Sequence, residues 1–246
     1  MKRAIFSLAL LALATAATAA PVGLTRPASL APDNAALPRL TTATPGSAKI
    51  NAALARLDER WRKAMRQCRA DGDGDASTSR SVSATMAGPK VVSLLITDEM
   101  YCGGAHPDSS AMAVAYDLES GRPLDWTRLL PKALVTSATL DTHDDGSSIG
   151  AIVSPRLHAL YLAAARAQSG HDASWTSNCG EVLDDEDLPF QLWPDAKAGG
   201  VMLAPLGLPH AVAACADALP LPTATLRRLG ADAALLDAID AAHAGR

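Results

Sequence analysis

Six apolar residues, Ile50, Leu54, Leu57, Trp61, Met65 and Cys68, recur at intervals of three or four along a stretch that opens at Ser47. That spacing gathers them on one stripe of an α-helix, with Arg56, Glu59, Arg60 and Lys63 on the opposite face, and it is incompatible with a strand of period two. Ser47 is placed to cap this helix, and the turn-rich run Asp71-Gly72-Asp73-Gly74-Asp75 to end it. The stripe finishes on a cysteine, so the face that needs an apolar partner layer also carries a possible covalent tether. Because 48% of the 246 residues are hydrophobic, the chain has the material for a sizeable core and is not a disordered one.

Downstream the period changes. Residues 81–86 and 91–97 read as two strands of a hairpin around Gly88-Pro89, and Met112, Val114, Tyr116 and Leu118 alternate with small or polar residues before a turn at Glu119-Ser120-Gly121. Ser154-Pro155 opens a second helix through Leu157, Leu160, Tyr161 and Ala164, with serine at the cap and proline where a missing N–H costs nothing. Two short strands follow at residues 190–193 and 201–204, then helices over 223–229 and 232–242 separated by Gly230. Strands cluster in the middle, helices lie at both ends, and no βαβ alternation is visible. The expected fold class is therefore α+β, a mainly antiparallel sheet flanked by N- and C-terminal helices.

The chain begins Met1-Lys2-Arg3, continues with an apolar run from Ala4 to Ala14, and reaches Ala17-Thr18-Ala19, the small-x-small pattern of a cleavage site. Residues 1–19 read as a secretory signal peptide, too short in its apolar part to span a bilayer, and place the protein in the periplasm or outside the cell. Losing Lys2 and Arg3 with that peptide moves the formal charge from −4 to −6. Residues 20–46 hold Pro21, Pro27, Pro32, Pro38 and Pro45 among Thr, Ser and Ala without a hydrophobic period, and read as a flexible leader to a single domain over 47–246. The four cysteines, Cys68, Cys102, Cys179 and Cys215, all belong to the exported part, where thiols pair. Of the three possible connectivities we expect Cys68–Cys102 with Cys179–Cys215, since each pair joins neighbouring elements of the map above. A zinc site would need a C-x-x-C spacing that is absent.

Composition and motifs exclude several functions. An isoelectric point near 5.8 repels phosphate backbones and argues against nucleic acid. Thr142-His143-Asp144-Asp145-Gly146 imitates the first motif of polysaccharide deacetylases but lacks the downstream histidine pair that would hold a metal. Gly146-Ser147-Ser148-Ile149-Gly150 fits G-x-S-x-G, and Ser148, Asp184 and His210 follow hydrolase order, yet the buried strand and parallel sheet of a nucleophile elbow are missing. Asp71, Asp73 and Asp75 imitate half a calcium loop, with Ala76 and Val82 where glycine and glutamate are required. The run Asp184-Asp185-Glu186-Asp187 reads as a solvated loop. No cofactor or metal is expected.

The most distinctive stretch is Tyr101-Cys102-Gly103-Gly104-Ala105-His106-Pro107, followed by Tyr116-Asp117-Leu118-Glu119-Ser120-Gly121, Leu124-Asp125-Trp126 and Leu129-Leu130. Paired glycines permit positive φ, and a histidine just after them is placed either to bond loop amides or to meet a ligand. These blocks resemble the extracytoplasmic RsiV/PdaC-type domain of unknown function, in which a G-G-A-H turn precedes a strand ending in a D-L-x-[ST]-G turn. The segment from Ala211 to Cys215 and on through Leu219-Pro220-Leu221-Pro222 is similar to that family's closing strand. The resemblance implies an α+β domain outside the cytoplasm. One relative is the sensing domain of an anti-sigma factor that binds lysozyme, and another sits beside a peptidoglycan deacetylase domain whose motifs are missing here. With no transmembrane anchor in view, an anti-sigma role is not expected. The expectation is a non-enzymatic cell-envelope binding module whose partner is a lysozyme-like protein or peptidoglycan, with Tyr101, Gly103, Gly104 and His106 as ligand-binding residues. The alternative is a hydrolase of envelope polymer or ester acting through His106 or Ser148. Oligomeric state is left open.

Overall fold

The computed structural model describes residues 21–72, 75–142, 148–168, 173–208 and 210–246. The signal peptide read at 1–19, residues 143–146 of the deacetylase-like motif, the first two residues of the G-x-S-x-G motif, and Asp73 of the calcium-like run lie outside them. The first elements are β1 (Leu24–Thr25), β2 (Arg39–Leu40), α1 (Ser47–Asp71), β3 (Ser77–Ala87), β4 (Val91–Tyr101) and β5 (Asp108–Asp117). After them come α2 (Trp126–Leu129), β6 (Ser137–Thr142), β7 (Ser148–Val153), α3 (Pro155–Ala167), α4 (Ala173–Leu183), β8 (Pro189–Asp195), β9 (Gly200–Pro205), β10 (Leu219–Pro222), α5 (Thr223–Leu229) and α6 (Ala233–Ala244). Single 3-10 turns occupy Lys132–Leu134 and His210–Cys215. β3, β4 and β5 form an antiparallel meander, and a second antiparallel sheet runs in the order β10-β9-β8-β7-β6. The fold is α+β, as the distribution of periods indicates.

The helical stripe packs as read, with one exchange. Ile50, Leu54, Trp61, Met65 and Cys68 are buried on α1, but Leu57 is half-buried while Asp58, one residue on, is 1% exposed. A carboxylate is tolerated there because it accepts from the Leu37 amide at 3.0 Å and pairs with Arg39 at 2.7 Å. Ser47 is not the cap. Gly46 holds that position, and Ser47 turns back so that its hydroxyl donates to the Thr44 carbonyl at 2.9 Å. A side chain on Gly46 would meet the Gly121 backbone at 2.4 Å, so close packing of the helix start on the β5 turn excludes a capping residue.

The partners of Asp58 belong to the stretch read as a flexible leader, and here the structure corrects the sequence. Residues 21–46 are a strap across α1 and β3. Val22, Leu37 and Leu40 enter the core, the Val22 amide donates to Ala87, and Ala35 and Arg80 link strap to β3 through backbone bonds of 3.0 and 2.9 Å. Asn51 on α1 exchanges two bonds with the Leu40 backbone, at 2.8 and 3.0 Å. Proline-rich composition hid this because the strap's order comes from isolated apolar anchors and helix side chains, not from a period of its own.

β4 divides the interior. Val92, Leu94 and Ile96 face α1 and the strap, together with Met112, Tyr116 and Leu118. On its other face lies β8: the Thr85 hydroxyl donates to the Pro194 carbonyl at 2.9 Å and bonds the buried Ser93 hydroxyl at 2.8 Å. A larger core fills the second sheet with α3, α4, α5 and α6 around Leu157, Tyr161, Leu183, Phe190, Leu203, Leu236 and Ile239. Ser154 caps α3 by accepting from Leu157, as its S-P start indicates. Disulfides join Cys68 to Cys102 and Cys179 to Cys215, the expected connectivity, closing separations of 34 and 36 residues. In the chain-entropy picture loops of that length are worth roughly 3 to 4 kcal/mol each.

Candidate functional site

The Cys68–Cys102 bond fastens the end of the α1 stripe to the start of the loop between β4 and β5. This is the G-G-A-H loop. Gly103 and Gly104 take φ of +91° and +110°, values that side chains rarely adopt, which is why two glycines stand together. The Tyr101 hydroxyl donates to the Gly104 carbonyl at 3.0 Å, pinning the turn from within. His106 is exposed at the tip, and its Nδ1 lies 3.2 Å from the carbonyl of the next residue, Pro107. The loop is thus held by Tyr101, the glycines and the disulfide, and the imidazole is turned outward.

Below the loop is a cleft of about 370 Å³ between the meander and the second sheet. Met100 and Asp108, opposite one another in the β4–β5 ladder, are the two feet of the loop and both line it. Trp61 reaches it from α1, Asp98 from β4, and Gln191 and Trp193 from β8. The far wall is apolar, built by Leu206, Leu208 and small residues of the 205–218 segment.

A buried ionic layer supports the wall. Arg80 on β3 donates from Nε and Nη2 to the two carboxylate oxygens of Asp98, both at 2.6 Å, in the bidentate geometry that suits guanidinium. Its side chain is fully buried and that of Asp98 nearly so. The guanidinium also lies 4.4 Å from the centre of the Trp61 ring, a cation–π contact. Trp61 in turn donates from Nε1 to Asn34 at 2.8 Å, and Asn34 bonds the carbonyls of Pro32 and Thr78. Strap, helix and two strands are therefore locked in one chain of polar contacts directly behind the cleft. Three buried polar atoms lack a partner among the described residues, Thr44 Oγ1, Arg80 Nη1 and Trp193 Nε1, and the last belongs to a cleft residue.

The residues in hydrolase order stand on three separate segments. Ser148 opens β7 opposite Thr142 of β6, so it stands at the beginning of a hairpin strand and not at the strand-to-helix turn that a nucleophile elbow requires. β7 does lead into α3, but through the capping residue Ser154. Asp184 is an exposed residue after α4, and His210 begins a 3-10 turn. Of the sequence-predicted ligand residues, Tyr101, Gly103, Gly104 and His106 share the rim loop, while the cleft residues Trp61, Asp98, Gln191 and Trp193 were not read as site residues in the sequence. They come from three separate elements, and nothing in their spacing signals that these faces meet.

Fold and site together define a disulfide-stapled α+β domain with a loop-rimmed cleft between two antiparallel sheets. No family model and no curated protein matches the sequence. Among solved structures, the chain is similar to a DUF3298 family protein from Pseudomonas aeruginosa PAO1, at 15% identity over 85% of this chain and 94% of that one, with a TM-score of 0.45. It is also similar to a DUF3298 family member from Bacteroides fragilis NCTC 9343, at 14% identity over 89% and 95% of the two chains, with a TM-score of 0.47. No helix among the described residues is long and apolar enough to cross a membrane.

Proposed function

We propose that this chain is an extracytoplasmic, non-enzymatic binding module of the cell envelope, which engages its partner through the G-G-A-H loop and the cleft beneath it. The observation that carries the reading is the position of the loop: a turn fixed by Tyr101, two glycines and a disulfide carries exposed His106 and springs from Met100 and Asp108, which line a cleft of about 370 Å³. Such rigidity lowers the ordering cost of association. Asp98, the more buried of the two carboxylates lining that cleft, is held in a bidentate pair by Arg80, an arrangement that suits a wall better than a general base. The two disulfides suit an oxidising compartment, and the likeness of Tyr101–Pro107 to RsiV/PdaC-type domains supports an envelope role. The acidic balance of the chain favours a basic protein of the lysozyme type as partner, with peptidoglycan as the other envelope ligand.

The test is a calorimetric titration of the oxidised mature protein with c-type lysozyme, and separately with soluble peptidoglycan fragments, at low and then physiological salt. Binding that persists at physiological salt and weakens in His106→Ala, with its melting temperature unchanged, is the expected result. Binding to neither ligand, or to lysozyme at low salt only, would overturn the reading, since long-range charge attraction is screened within about 8 Å at physiological ionic strength. So would turnover of an envelope polymer or ester that Ser148→Ala or His106→Ala abolishes.

A further inference from the structure

We propose that the cleft receives an extended segment of a partner polypeptide, added as a fourth strand to the edge of β5 and carrying a basic side chain toward Asp108. This deepens the reading of the cleft as a partner site and rests on it. β5 is the last strand of the meander, so one of its sides has no neighbouring strand. The phase of that side is fixed by Gln191, whose amide accepts from the Ala113 N–H at 3.0 Å and donates to the Ala111 carbonyl at 2.9 Å. Odd-numbered residues of β5 therefore turn their peptide groups away from β4. Toward the C-terminus the edge is covered, since Leu124 donates to the Ala115 carbonyl and Asp117 to that of Arg122. Toward the N-terminus it is open. The N–H and C=O of Ser109 and the N–H of Ala111 have no partner among the described residues, both residues are exposed, and both line the cleft.

An unpaired ladder edge is a template for another strand, and natural proteins usually blunt or cover it. Here Gln191 imitates the missing strand for one repeat and then stops, leaving three unpaired backbone groups on residues that line the cleft. With a rise of about 3.3 Å per residue, an added strand of three or four residues would run the length of the Asp108–Ala111 edge. Main-chain bonds supply affinity in this mode, and alternate side chains supply selectivity. One set of side chains would meet the apolar wall at Leu206 and Leu208. The ionisable side chains lining the cleft are Asp98 and Asp108, with no lysine, arginine or histidine among the lining residues. Asp98 is neutralised from behind by Arg80, so exposed Asp108 sets the local sign and selects a lysine or arginine in the segment.

The experiment titrates isotopically labelled mature protein with the capped hexapeptide acetyl-Val-Lys-Val-Lys-Val-Lys-amide, and with its analogue N-methylated at every amide. Exchange of the Ser109 and Ala111 amides should slow at least about tenfold with the first peptide and not with the second. Ala111→Pro, which removes one edge donor, should lose the peptide, while Ala111→Gly keeps it. The proposal fails if those amides are unaffected at millimolar peptide, if the N-methylated analogue binds equally, or if the protein alone dimerises with the same amides protected. Should Ala111→Pro not fold, the amide-exchange comparison on the unaltered chain decides. Lysozyme bound at physiological salt with unchanged affinity by Ala111→Pro would remove strand addition and leave the module reading standing. Peptide protection without lysozyme or peptidoglycan binding would do the reverse.

Discussion

Arg80 shows how much of this site depends on one charge. Its guanidinium is fully buried, and Asp98 holds it with two bonds of 2.6 Å. Removing one partner of such a pair leaves a charge with neither water nor counter-ion, so Asp98→Ala should cost about 3 to 5 kcal/mol, read as a lower urea midpoint. Replacing both, as Arg80→Met with Asp98→Leu, should recover most of that loss, because the desolvation penalty disappears with the charges. Tyr161 makes the opposite case of a buried neutral acid. Burial first, and the charge of Asp217 second, push its phenol well above the usual tyrosine range, while its hydroxyl donates to the carbonyls of Asp217 at 3.0 Å and Cys215 at 3.3 Å. In the unfolded chain the phenol titrates near its ordinary value of about 10. The folded state therefore keeps its proton to higher pH than the unfolded state does. This contribution is complete below about pH 10 and is lost as the pH rises from there through the folded value. Thermal melts of wild type should fall between pH 9 and 11 more steeply than those of Tyr161→Phe, and equal slopes would remove the argument.

Among the elements, the rim loop and α1 act as one unit because the stripe of α1 ends in Cys68. Cutting the Cys68–Cys102 bond, as Cys68→Ala with Cys102→Ala, should cost roughly 3 to 4 kcal/mol through the unfolded state. It should also speed amide exchange in residues 103–106 more than in β4 itself, since the turn would then lose its covalent tether to α1. α1, the β3–β4 hairpin, β5, α3, β8, β9 and the two last helices were all legible in the sequence, because each carries a helical period, an alternation, or a short apolar run bounded by turn residues. β6, β7 and α4 were not. Ser-Ala-Thr-Leu-Asp-Thr alternates but holds only one large apolar residue, Ser-Ile-Gly-Ala-Ile-Val does not alternate, and Ala173–Leu183 has only a weak stripe, so these elements take their state from pairing and packing. β10 is a different case, since Leu219 and Leu221 are buried while Pro220 and Pro222 are exposed. Its position at the end of the sheet makes the prolines tolerable.

At the scale of the whole molecule, the cleft exists because β8 docks across the meander at a few polar points and leaves a gap beyond them. Thr85 and Ser93 tie β3 and β4 to Pro194, the Ala196 amide donates to the Thr85 carbonyl at 2.9 Å, and Gln191 ties β5. This explains why the loop was readable in advance and the cleft was not. Two glycines before a histidine mark a turn wherever they occur, whereas the meeting of Trp61, Asp98 and Trp193 depends on how two sheets cross. Gln191 is the residue at which fold and site can be separated. Its side chain is buried, yet the groups it satisfies belong to the same edge that lies open at Ser109. Gln191→Leu keeps comparable bulk and removes both bonds, leaving the Ala113 N–H and the Ala111 carbonyl to water. We expect a loss of about 1 to 3 kcal/mol, the cost of two backbone groups losing partners at a partly wetted edge. The Ala113 amide, protected in wild type, should exchange faster in the variant. If β5 accepts a fourth strand, the lysine-valine hexapeptide should now slow exchange at Ala113 as well as at Ser109 and Ala111, because the edge has been lengthened by one repeat. A variant that loses stability without that new protection would show that Gln191 only braces the two sheets.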